Sequence, residues 1–278
     1  IVSVNGVNKA LTYLGGSGND VVLLPLLPTV TSSTATLASN ATTITITGTN
    51  FDTTPGNNTV VFSNGAVGTV TAATDTSLTV TFSTPPTSLG NLTAVVTTTT
   101  GSSGAPVQVA TVSNILATLT GGALTITDVA NGDDTLSLSQ IAGDLVIGAN
   151  AGSVIASTAG TGSRTNSVSI PLASITGLIT VNAAGGTDIL NVGAFSTALN
   201  GLTLNGGIGN DTVNLNGDIT FVANKNLDVD LQNDDATPGA DRIVIGAGTD
   251  LITSGSGAIT MKASTTANMT AGSGTLRP

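Results

Sequence analysis

Gly177-Leu178-Ile179-Thr180-Val181 leads into Gly185-Gly186-Thr187-Asp188-Ile189-Leu190-Asn191-Val192-Gly193, and the chain then repeats itself. The second pass runs Gly201-Leu202-Thr203-Leu204, then Gly206-Gly207-Ile208-Gly209-Asn210-Asp211-Thr212-Val213-Asn214-Leu215. A third begins at Asn226-Leu227-Asp228-Val229-Asp230-Leu231 and closes with Gly239-Ala240-Asp241-Arg242-Ile243-Val244-Ile245. An earlier copy sits at Ala123–Thr127 and Gly132-Asp133-Asp134-Thr135-Leu136-Ser137-Leu138. The unit is a strand, a Gly/Asn turn, an Asp and a second strand, repeating at about 24 residues, a spacing of stacked β-repeats. Apolar and polar residues alternate with period two, so one face of each strand can be buried and the other wetted. These features predict a parallel β-solenoid of about seven turns over residues 113–278.

Composition narrows the chemistry. The 278 residues carry 6 Lys+Arg against 16 acidic residues, a formal net charge of −10, and every acid is Asp. There is no His, Cys or Trp. The commonest general base and the commonest transition-metal ligands are therefore missing, and disulfides do not staple the fold. Six scattered cations build no nucleic-acid surface. No apolar run is long enough to span a membrane as a helix. Abundant Thr, Ser, Gly, Val and Ile favour strands and tight turns, so the expected class is all-β. Scarce Lys with dense Thr, Ser and Asn fits a secreted or cell-surface protein. Ile1-Val2-Ser3-Val4 carries no leader signature, so the chain is expected to be a processed product or an excised piece.

Residues 1–27 carry another copy of the unit: Ala10-Leu11-Thr12-Tyr13-Leu14, then Gly15-Gly16-Ser17-Gly18-Asn19-Asp20-Val21-Val22-Leu23. One solenoid turn cannot cover its own apolar face. Its residues Ile1, Val2, Val4, Leu11, Tyr13, Val21 and Leu23 are therefore the expected assembly contacts. Pro25 and Pro28 then break the pattern. From residue 28 to 112, short alternating strands with Gly/Asn turns predict a small antiparallel sandwich, with Phe51, Phe62 and Phe82 in its core.

The sandwich segment resembles the IPT/TIG domain, an immunoglobulin-like family. The resemblance rests on Ile44-Thr45-Ile46-Thr47-Gly48-Thr49-Asn50-Phe51, Val60-Val61-Phe62, Ala73–Leu78 and Thr100-Gly101-Ser102-Ser103. It implies a spacer or binding module of an extracellular protein. A DNA-contacting role known in the family does not carry over, because residues 28–112 hold no Lys or Arg.

Gly15–Leu23 and Gly206–Asn214 also resemble the calcium-binding RTX nonapeptide, G-G-x-G-x-D-x-U-x. That resemblance implies calcium at Asp20, Asp188, Asp211 and Asp241. Neither copy is followed by a second nonapeptide, so each supplies half of such a cage. The alternative is that the glycines shape a tight turn and the Asp satisfies turn amides. Stacked Asp side chains would repel at strand spacing, and either a cation or those amides would have to relieve it. The pairs Asp133-Asp134 and Asp234-Asp235 read as solvated turns. A polysaccharide-cleaving β-helix would need Asp clustered with Lys or Arg, and Lys225, Arg242 and Lys262 are widely separated. The expectation is thus a non-enzymatic structural subunit of an extracellular bacterial filament, sheath or matrix. Copies of itself would bind head-to-tail, the N-terminal turn capping a C-terminal solenoid that shows no closing segment. The alternatives are a spacer fragment of a giant surface adhesin, or a module gripping a cell-surface or matrix polysaccharide.

Overall fold

The computed structural model describes residues 1–4, 7–15, 20–232, 239–264, 270–271 and 275–277. The protein is all-β and divides into two units, Ile1–Val112 and Ser113–Pro278.

The first unit opens with β1 (Val2–Val4), β2 (Val7–Gly15) and β3 (Asp20–Pro25), paired antiparallel in the order β1-β2-β3. This corrects the expected solenoid turn at residues 1–27. Its strands β2 and β3 pair antiparallel with each other rather than in parallel with strands of stacked turns. Next come β4 (Thr29–Val30), β5 (Thr36–Ala38), β6 (Thr43–Thr49), β7 (Thr59–Phe62), β8 (Val67–Ala73) and β9 (Ser77–Thr84). The unit ends with β10 (Gly90–Thr98), β11 (Gly101–Ser102) and β12 (Val107–Ser113). One sheet runs β11-β10-β12-β5 with β7 on β10, the other β4-β6-β9-β8. The two inner faces alternate with solvent-facing Thr, and enclose Ile46, Leu78, Val80, Leu92, Ala94 and Val96. Phe51 and Phe82 are buried; Phe62 packs on this core with its ring 5.4 Å from Phe82 at 57°, a tilted aromatic pair.

The second unit begins with antiparallel pairs rather than repeats. Here β13 (Ile115–Thr120) and β14 (Ala123–Asp128) form a hairpin about Gly121-Gly122. A second hairpin joins β15 (Thr135–Ile141) to β16 (Asp144–Gly148); β17 (Ile155–Ser157) flanks β13 and β18 (Ser167–Pro171) flanks β16. Within the expected repeat region, β16 and β18 thus pair antiparallel and β17 parallel to β13.

Parallel pairing follows, pass by pass. The first pass contains β19 (Ile179–Asn182), β20 (Gly185–Gly186), β21 (Ile189–Val192) and β22 (Phe195–Leu199). The second contains β23 (Leu202–Asn205), β24 (Ile208–Gly209), β25 (Thr212–Leu215) and β26 (Ile219–Phe221). Then come β27 (Leu227–Asp230), β28 (Arg242–Ile245) and β29 (Asp250–Ile252), and last β30 (Ile259–Lys262), β31 (Thr270–Ala271) and β32 (Thr275–Arg277). Strands meet their counterparts in three sheets, β14-β19-β23-β27-β30, β15-β21-β25-β28-β31 and β22-β26-β29-β32, all parallel in these stretches.

The offset is not uniform. Stacked Asn182 and Asn205 are 23 residues apart, Asp230 and Lys262 32, and Asp134 and Asp188 54, because the hairpins intervene. The longest parallel ladder among the described residues holds five strands, fewer than the seven or so turns expected. One continuous core runs through the unit. Leu202, Leu204, Val213, Leu215 and Ile219 are wholly buried in a single pass. Each such side chain contributes roughly 1.5–3 kcal/mol when covered by the passes on either side, a gain that no pass has alone. On the wetted faces Asn205 Nδ2 donates to Asn182 Oδ1 (2.8 Å) and Asn214 Nδ2 to Asn191 Oδ1 (2.9 Å).

Candidate functional site

Just before β15, β21, β25 and β28 stands an Asp, and these side chains form a buried column. Asp188 and Asp211 are fully buried, and Asp128, Asp134 and Asp241 nearly so. Each reaches back one pass. The N–H of Asp134 donates to Asp188 Oδ1 (2.8 Å), that of Asp188 to Asp211 Oδ1 (3.0 Å) and that of Asp211 to Asp241 Oδ1 (3.1 Å). Asp241 N–H donates in turn to Ser264 Oγ (3.1 Å), a hydroxyl standing where the next carboxylate would be.

The residues before two of these Asp, Asp133 and Asn210, do the opposite. Thr187 N–H donates to Asp133 Oδ1 (2.7 Å) and Ala240 N–H to Asn210 Oδ1 (2.6 Å), so these exposed side chains reach forward one pass. Asn210-Asp211 is thus a two-way clamp. The neighbouring glycines let the turns stack. Gly207 and Gly209 have φ of 88° and 144°, and a Cβ on either would collide with the carbonyl oxygen of Ala184 or Gly186 in the pass below.

Electrostatics at the head of the column are unfavourable to charge. Burial pushes the Asp188 carboxyl up to about 7, its amide bond from Asp134 opposing and the Asp211, Asp134 and Asp128 carboxylates adding to the rise. Asp134 is raised to about 6, by burial first and by Asp128 next. Burial also raises Asp128, against the pull of the Ala130 amide. Asp188 Oδ2 has no hydrogen-bond partner.

Of the four residues expected to hold calcium, the structure brings Asp188, Asp211 and Asp241 into one column; Asp20 lies exposed at the start of β3 in the other unit. Their Oδ1 atoms accept backbone amides. Among the described residues no group of three or more acidic side chains is arranged to hold a metal ion. Asp133-Asp134 is corrected: Asp133 is solvated, but Asp134 is buried and belongs to the column. Asp234-Asp235 lies outside the described residues. Sequence reasoning missed the forward clamp of Asn210 and Asp133; its signal was the Asp-Asp and Asn-Asp dipeptides at the same place in two of the repeats.

The expected assembly residues lie on the meander of β1–β3 and are exposed: Ile1 85%, Val2 37%, Val4 39%, Leu11 40%, Tyr13 63%, Val21 55% and Leu23 42%. Leu24 and Leu27 extend the series at 49% and 50%. At the far end of the second unit, β30, β31 and β32 are the last strands of their sheets, and among the described residues nothing pairs with their outer edges. Ile259 and Met261 are only half-buried there, whereas Leu227 and Val229 beneath them are covered. Lys262 at this edge forms an ion pair with Asp230 (2.7 Å), which raises the Lys262 ammonium above its ordinary value.

The order of β4–β12 and the core around Phe51 and Phe82 are those of an immunoglobulin-like sandwich. Residues 28–111 match the IPT/TIG domain family. No curated protein and no solved structure matches the chain. Within the IPT/TIG domain, Asn58 is the main buried polar residue tying a loop: its Nδ2 donates to the carbonyls of Asp52 (2.8 Å) and Thr54 (3.0 Å), while Asp52 N–H donates to its Oδ1 (3.1 Å). Asp52 accepts from Thr54 N–H, the main reason its carboxyl lies below the ordinary value.

Proposed function

We propose that this protein is a non-enzymatic structural subunit of an extracellular bacterial filament, sheath or matrix. In this reading the parallel sheets of Ser113–Pro278 form a β-solenoid rod, and copies join head-to-tail. One observation carries it: an apolar meander exposed at one end of the chain, and three strand edges without described partners at the other. Unpaired edges template strand addition, and a contact between two unlike surfaces that does not close grows into a filament. Deleting residues 1–24 is expected to abolish polymers seen by negative-stain microscopy and sedimentation, while the β-rich circular dichroism of the remainder persists. Identical fibres from the truncated chain would overturn the reading.

The aspartate column serves this role as a hydrogen-bond ladder that holds pass to pass, rather than as a calcium site. Chelation with EDTA is accordingly expected to leave the thermal unfolding of Ser113–Pro278 unchanged. A lowered midpoint, restored by calcium alone, would return Asp188, Asp211 and Asp241 to the role of ligands.

The IPT/TIG match favours a second reading, in which the chain is a spacer within a longer surface adhesin. The native mass separates the two: a subunit of about the 27.0 kDa chain supports the polymer, and a far larger polypeptide the spacer.

A further inference from the structure

Leu11-Thr12-Tyr13-Leu14-Gly15-Gly16-Ser17-Gly18-Asn19-Asp20-Val21-Val22-Leu23-Leu24 aligns without a gap on Leu202–Leu215, the most regular pass of the second unit, and nine of fourteen positions are identical. The identities include the opening leucine and threonine, three glycines, the Asn-Asp dipeptide, and Val22 and Leu24, whose counterparts Val213 and Leu215 face inward. Their surroundings differ sharply. Leu202, Leu204, Asp211, Val213 and Leu215 are all fully buried, whereas Leu11 is 40% exposed, Tyr13 63% and Leu24 49%, with Asp20 in solvent. Among the described residues, matching side chains are thus buried in the second unit and exposed in the first.

We propose that residues 11–24 of one copy dock as an additional parallel pass on the last pass of a second copy. Leu11 lies beside Ile259, Thr12 beside Thr260 and Tyr13 beside Met261. This rests on the head-to-tail reading above and specifies its contact: a complete pass in register, formed when the β2–β3 hairpin opens, rather than one strand added to an edge. Direction follows from the clamp. Asp211 reaches back to the preceding pass, so Asp20 in the same role needs a pass on that side, and it comes next in line after Ser264. The half-buried Ile259 and Met261 gain the cover that Leu227 and Val229 already have. Methionine adapts to the larger ring of Tyr13 where the other passes carry leucine or valine.

The chain has no cysteine, so a disulfide pair reads out the register directly. Neighbouring strands lie about 4.8 Å apart, within the span that a disulfide bridges. A Thr12→Cys/Thr260→Cys chain, mildly oxidised, is expected to give a ladder of covalent oligomers on non-reducing gels. Mixing the two single variants should give one crosslinked heterodimer. Polymers without crosslinks would overturn this register and leave head-to-tail assembly standing. Neither polymers nor crosslinks would overturn both, and a disulfide confined to one chain would make the chain its own occupant. As a second measurement, Asp20→Ala should raise the critical concentration for assembly by roughly tenfold or more, the worth of a charged hydrogen bond. The same variant should leave monomer unfolding unchanged, because Asp20 is solvated there; an unaltered critical concentration would remove Asp20 from the contact.

Discussion

Gly209→Ala is expected to unfold the parallel stack of Ser113–Pro278 well below the temperature at which the unchanged chain unfolds. At φ 144° an L side chain is strained by about 1–3 kcal/mol before any neighbour is considered. The added Cβ would also run into the Gly186 carbonyl oxygen, a backbone atom that no rotamer change can move aside. Separating the turns to relieve that overlap would stretch the bonds from Asp188 N–H to Asp211 and from Ile208 N–H to the Ala184 carbonyl. Together these costs reach roughly 4 kcal/mol, a large share of the 5–15 kcal/mol that holds a typical domain. A midpoint lowered by about 10 °C or more in calorimetry is the expected reading. Gly143→Ala is the control, since open space surrounds its Cβ and its φ is ordinary; it should change little. Equal midpoints for the two variants would show that the turns are not in contact.

The second large effect concerns pH. Asp128, Asp134 and Asp188 have carboxyls raised above the unfolded value of 3.8, Asp134 to about 6 and Asp188 to about 7. A raised carboxyl binds its proton more tightly in the folded chain, so folding is favoured below 3.8 and loses that advantage as pH climbs through 6 and 7. The groups facing Asp188 are the Asp134 and Asp211 carboxyls on either side and Asp128 beyond, none of them cationic. Between pH 4 and pH 8 the stack should therefore lose on the order of 4 kcal/mol. Asp188→Asn keeps an oxygen for the Asp134 amide and cannot ionise. It should flatten this slope, and at pH 8 should melt above the unchanged chain. Stability that instead rose over the same range would mean that the column's charge is met by bound cations.

Much of this was legible because local pattern and pairing agree. Thr43–Thr49 alternates strictly, ends in Asn50 with positive φ, and is a strand with Ile44 and Ile46 inward. Asp188, Asp211 and Asp241 recur at one place in the repeat, and they stack. Pairing partners were harder to read. Leu124-Thr125-Ile126-Thr127 has the composition of any repeat strand, yet one edge meets Ile179–Asn182 in parallel and the other meets Ile115–Thr120 antiparallel. Gly121-Gly122 between two alternating runs is a hairpin signal that could have shown this. Ala142, at φ 55° in the β15–β16 turn, gives no such sign, since alanine seldom adopts that conformation. Residues 11–24 are the hardest case. Their sequence matches a stacked pass, but β2 and β3 pair antiparallel with each other instead.

The hairpins at the head of the second unit also set the order in which it can form. β13 with β14 and β15 with β16 pair across turns of a few residues, whereas later partners lie 23 or 32 residues away. Closing the short loops costs least entropy, so these hairpins are the natural nucleus, and each later pass condenses on an edge already present. Chain emerging from the ribosome can add one pass at a time in this way. Loss of late passes would shorten the parallel ladders, while loss of residues 115–148 would leave the remainder without a template.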